Sequence, residues 1–131
     1  MIKLTQQQKE FVRNHHSDYK DKVANMAAHL YAYLTKGRDF IIVEMYPFKT
    51  ENHEAAEAWT WGRNFDAWVG LETDLSKYFK FDIKVKKYDR PPLCAGDTAH
   101  YHHTIYLRLD PGSDYEGYCK AKEAFIKEVE S

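Results

Sequence analysis

The chain has 131 residues, 44% hydrophobic and 15% aromatic, which allows a real core without disulfide or metal staples and excludes a disordered chain. Its formal net charge of −1 and pI of about 6.6 exclude a global attraction to nucleic acid or to an anionic membrane, so any such binding needs a local patch. No apolar run reaches the length of a bilayer span, the start MIKLTQQQKEF lacks a signal-peptide run, and Cys94 and Cys119 form no CxxC arrangement, so a cytoplasmic chain without a transmembrane helix is expected.

Thr5 followed by Gln8 has the form of a capping box and predicts a short helix carrying Phe11 and Val12, broken at His15, His16 and Ser17. Tyr19, Val23, Met26, Ala27, Leu30 and Leu34 recur at helical steps and form one stripe of a second helix. Gly37 closes it, because glycine accepts the left-handed conformation of a helix C-terminus. Phe40 to Tyr46 is apolar except for Glu44, which predicts a strand covered on both faces or central in the sheet, stopped by Pro47. Glu44 then either meets a partner or points to an open rim, since an unpaired buried carboxylate is costly.

Between Glu51 and Leu71 the pattern supports two readings. Glu54 to Ala58 favours a short helix, and Asn64 with Trp68, Leu71, Leu75, Tyr78 and Phe79 predicts another from about Phe65 to Phe79. The competing reading makes Trp59 to Leu71 a hairpin, with the helix starting at Thr73 or Asp74.

Phe81, Ile83 and Val85 alternate with Asp82, Lys84 and Lys86, the period of a strand with one buried face. Tyr101, His103, Ile105, Leu107 and Leu109 alternate in the same way with His100, His102, Thr104, Tyr106 and Arg108. Two antiparallel strands are expected, joined by the loop Arg90 to Thr98, where Pro91 and Pro92 cannot donate to a ladder. After a turn at Asp110, Pro111 and Gly112, Ser113 and Glu116 suggest a second capping box. The last helix, with Tyr115, Tyr118, Cys119, Phe125, Ile126 and Val129 on one face, is expected to pack on the sheet. The whole chain, 1–131, reads as a single α+β domain in the order α-α-β-α-β-β-α, a small, mainly antiparallel three-stranded sheet with helices on one face.

If the other face is open, it presents Lys84, Lys86, Tyr88, His100, His102, Tyr106 and Arg108 together with Thr104, cations beside aromatic rings. Charge is uneven along the chain, as solvated faces often are. Lys77 to Arg90 is basic, whereas Glu51, Glu54, Glu57, Asp66, Glu72 and Asp74 are opposed only by Arg63. The expected function is a small binding protein without cofactor or catalytic residues, of the inhibitor or adaptor kind common among phage and mobile elements. It would engage a protein or a nucleotide-like anion rather than long nucleic acid, with a homodimer through the sheet face as a further arrangement.

An enzyme is the alternative. His102-His103-Thr104-Ile105 fits the short His-x-Thr-hydrophobic pattern of two-histidine phosphoesterases, with His102 and Thr104 as the reacting pair. The second copy such enzymes need is matched only by His15-His16-Ser17. His100 and His102 can also supply two metal ligands from one side of a strand, with Asp82, Glu44, His15 or His16 as a third. Cys94, near Asp97 and His100 in the loop, has no neighbour that would lower its pKa strongly.

Overall fold

Strand alternation sets the frame. In the computed structural model, which describes residues 3–15, 20–44, 52–88 and 100–131, strands β2 (Phe79–Tyr88) and β3 (His100–Leu109) pair antiparallel, from Phe79 opposite Leu109 to Tyr88 opposite His100. Strand β1 (Phe40–Val43) joins the other side of β3, giving the antiparallel order β1-β3-β2. β1 is therefore an edge strand, which corrects the central placement expected from its composition. The register shifts between Ile41 and Val43, so Phe40, Ile42 and Val43 all reach the core while Ile41 stays 43% exposed. A bulge thus produced the unalternating pattern that imitates a doubly covered strand. Glu44 is exposed at the rim, and Tyr46 and Pro47 lie outside the described residues.

Helix α1 (Gln6–Asn14) opens on the expected box: Thr5 Oγ1 accepts from Gln8 N at 3.1 Å, and Gln8 Oε1 accepts from Thr5 N at 2.9 Å. Helix α2 (Lys22–Lys36) begins at Asp21, whose Oδ1 accepts from the amides of Val23 and Ala24, and ends at Gly37 with φ 65°. The break at His15 is a left-handed C-cap, and His16 to Tyr19 lie outside the described residues.

The middle of the chain is helical, and the hairpin reading falls. Helix α3 (His53–Arg63) runs beyond Ala58 because Trp61 reaches Trp68, Phe79 and Phe81, and Thr60, fully buried, donates to the Ala56 carbonyl at 2.8 Å. The single helix expected from Phe65 to Phe79 is divided: α4 (Phe65–Leu71) stops at Glu72, which is left-handed at φ 50°, and a 3-10 turn follows over Asp74–Tyr78. Thr73 ended the continuity, since its hydroxyl accepts from Leu75 N at 3.2 Å and caps the new turn.

Helix α5 (Tyr115–Glu130) is capped one residue later than the Ser113 motif implied. Asp114 Oδ1 accepts from Gly117 N at 3.1 Å while its Oδ2 accepts from the Tyr78 hydroxyl at 2.7 Å. α5 packs mainly on α1, α2 and the 3-10 turn rather than directly on the sheet, burying Ala121, Phe125 and Val129 and leaving Tyr115 exposed. A Cβ on Gly117 would stand 2.6 Å from the Tyr78 hydroxyl oxygen, so overpacking opposes the helix-propensity gain of alanine. Gly117→Ala is expected to cost a net of about 1 kcal/mol, checked by urea denaturation.

The Asp114 cap also sets a pH dependence. The Tyr78 hydroxyl first, and the Gly117 amide second, hold the Asp114 carboxyl below its ordinary value of 3.8. A carboxyl depressed in the folded state gives stability that is present above the unfolded pKa and lost as pH falls through the folded one. Acid unfolding monitored below that ordinary value should therefore be flatter in Asp114→Asn, which keeps a capping oxygen without the titration. An unchanged acid limb would refute this.

The helices bury one face of the sheet. Leu107, Leu109, Phe40 and Phe79 join the main core with α1, α2, α4 and α5, while Ile105 meets Ala56 and Trp59 of α3 beside Ile83 and Val43. No helix among the described residues is long and apolar enough to cross a membrane.

Candidate binding face of the sheet

The face opposite the helices is built by register. Lys80 stands opposite Arg108, Asp82 opposite Tyr106, Lys84 opposite Thr104 and Lys86 opposite His102, while β1 sets Ile41 opposite Tyr106 on the other flank. Lys80, Asp82, Lys84 and Lys86 are exposed; His102, Thr104, Tyr106 and Arg108, on the central strand, are half-buried between their neighbours. Strand pairing has thus brought Lys84, Lys86, His102, Tyr106 and Arg108 to one side. Tyr88 and His100 pair through their backbones at the end of the ladder, but their side chains lie outside the described residues.

Two contacts organise the centre. The Lys84 ammonium sits 4.9 Å from the centroid of the Tyr106 ring, a diagonal cation–π contact. Arg108 donates through Nε to Asp82 Oδ1 at 2.9 Å and through a terminal nitrogen to Asp110 Oδ2 at 3.3 Å. These bonds, Asp82 first, hold the guanidinium more firmly in its charged form. The Gly112 amide, and after it Arg108, lower the Asp110 carboxyl. Arg108 thereby faces two carboxylates across exposed ion pairs, and Lys80, Lys84 and Lys86 add the further positive charge of the described face.

The face expected from the sequence left out Ile41 and Asp82, the latter named only as a strand residue and a metal ligand. Asp82 shares the parity of Lys84, so its diagonal reach to Arg108 followed from the pairing once the register was known. Ile41 had no such signal, because the bulge hides the parity of β1.

The chemistry of the enzyme alternative is only partly assembled. His102 and Thr104 share the open face, but His103 between them is buried in the core. His15 lies with its ring centroid 4.9 Å from that of His29, which itself stacks on Phe40 at 5.1 Å. Burial, and then His15, lower the His29 pKa. The histidine from the second His-x-Ser motif is thus engaged with α2 rather than with His102, and Asp82, a proposed third metal ligand, is held by Arg108. Among the described residues, no group of three or more His, Cys, Asp and Glu side chains is placed to hold a metal ion. The loop Arg90 to Thr98, with Cys94, lies outside the described residues; Cys119 is a half-buried free thiol.

In comparisons with known proteins, no family model matches the chain, and neither the curated proteins nor the solved structures give a significant match.

Proposed function

We propose that this chain is a small cytoplasmic binding protein, of the inhibitor or adaptor kind, that uses the open face of its sheet to engage an acidic surface on a partner protein. The observation that carries the reading is the placement of Lys84 over Tyr106, with Lys80 and Lys86 exposed along the same strand and Ile41 beside the ring. Tyrosine is among the residues that dominate protein interfaces, and a cation on its ring adds an electrostatic attraction for an acidic partner. The spacing favours an extended partner over a compact anion: at about 3.4 Å per residue, Lys80 to Lys86 spans roughly 20 Å. With Arg108 paired to Asp82 and Asp110, no other guanidinium among the described residues of this face is placed to clamp a single phosphate.

A two-dimensional NMR titration with a short Glu-rich peptide tests the chemistry. Shifts should concentrate at Lys84, Lys86, Thr104 and Tyr106, and fade at high salt as rim electrostatics are screened. Shifts spread evenly over the lysines of α2 and the sheet, or none at the sheet, would overturn the proposal.

A further inference from the structure

Two of the large hydrophobic side chains most exposed among the described residues lie side by side. Of the four that stand out, Ile41 borders the sheet face, and Phe65 and Val69, 60% and 56% exposed, lie one turn apart on α4; Tyr115 lies elsewhere. Phe65 and Val69 line a groove of about 430 Å³ together with Trp61, Trp68 and Glu72. Burial of such side chains is what α4 lacks within its own chain.

The charged residues lining the groove are Glu72 and Lys77, and the surroundings turn acidic only with the flanking Glu57 and Asp74. Glu57, exposed on α3, precedes Trp61 by four residues and so shares its helical face. Lys77, also at the groove, is spoken for by Asp74 at 3.7 Å. The sheet face is the opposite in sign, with Lys80, Lys84, Lys86 and Arg108 against Asp82 and Asp110. Each patch therefore has an apolar centre, Phe65 and Val69 in one and Ile41 and Tyr106 in the other, and the charges around the two centres are complementary.

They cannot meet within one molecule. Trp61 and Trp68 rest on Phe79, which points to the helical side of β2, whereas Lys80 and Lys84 point away from it. Two sheet faces would also repel each other, cation against cation, so a symmetric face-to-face dimer is disfavoured. We infer that the α3–α4 groove is a docking site for the basic sheet face of a second copy of this chain, giving a head-to-tail contact that repeats into a ring or a short filament. Such heterologous contacts use different patches on the two partners and propagate until rotation closes them. A net charge of −1 adds little overall repulsion to resist the encounter. The inference rests on the sheet face being a binding surface and names its occupant.

Sedimentation velocity of the full chain over a concentration series decides it, with variants that reverse one patch at a time. Wild type should associate as concentration rises, and less so at high salt. Lys84→Glu with Lys86→Glu should weaken association at least about tenfold, and so should Glu57→Lys with Glu72→Lys, all four sites being exposed. Mixed together, these two variants should associate again, since the intact sheet face of one meets the intact groove of the other and the two reversed patches are themselves opposite in charge. Phe65→Ala, which alters no charge, should weaken wild-type association as well. A monomer at every concentration overturns the head-to-tail contact and leaves the sheet-face reading standing on its peptide test. Association that survives the sheet reversal overturns the head-to-tail contact, and the sheet-face reading is again decided by its peptide test. Association lost in the sheet variant but kept in the groove variant marks a symmetric sheet dimer and overturns the groove as the site.

Discussion

Leu107→Ala is expected to lower the free energy of unfolding by about 2–5 kcal/mol, the range for removing a buried leucine side chain and leaving a cavity. Leu107 is 1% exposed on the central strand, directly opposite Phe40 on one side and Phe81 on the other, so neither edge strand can move in without giving up its own pairing. The helices are no freer to follow. Phe125 and Leu30, which share this core, are themselves fully buried on α5 and α2. For a domain whose whole stability is of order 5–15 kcal/mol, the change would be a large share. Urea denaturation should show a lower midpoint at unchanged slope, and a loss below about 0.5 kcal/mol, the scale of a surface change, would mean that Leu107 is not at the centre of the fold.

Tyr106→Ala is expected to weaken partner binding by about 2 kcal/mol or more, roughly thirtyfold in Kd, while changing stability by about 1 kcal/mol or less. The ring occupies the middle of the open face, flanked by Ile41 and Asp82 and approached by the Lys84 ammonium, so its removal takes away both apolar area and the site of the cation–π contact. Lys22→Ala, exposed at the start of α2, is the matched control and should leave affinity within about threefold, as expected away from the interface. The enzyme alternative makes a different prediction, that His102→Ala abolishes turnover of a phosphodiester with stability little changed. Equal phosphodiester hydrolysis by wild type and variant, or none in either, would remove it.

The parts of the fold that were legible in the sequence are those governed by one local rule. Alternation in Phe81 to Val85 and in His103 to Leu109 follows from the pleat, and the caps at Thr5 and Gly37 follow from the donors and conformations a helix end requires. What was illegible depends on distant partners. α3 extends past Trp59 because Trp61 finds Phe81 on β2, and β1 lies at an edge because its bulge and its neighbour are set by β3. Glu72 in a left-handed conformation has no local sign in a residue that favours helices. At the site, the matching parity of Lys84, Lys86, Tyr106 and Arg108 could be read from the strands, but the tying of Arg108 to Asp82 and Asp110 could not, because it needs the register and the turn after Leu109 together.

The most direct test of the open face as the working surface is the affinity of the short Glu-rich peptide for a variant carrying alanine at Lys84, Lys86, Tyr106 and Arg108, measured by calorimetry beside a check of thermal unfolding. The variant is expected to stay folded while its affinity falls at least about thirtyfold, with the residual binding less sensitive to salt than in wild type. A folded variant that binds the peptide as tightly as wild type would contradict the open face as the working surface.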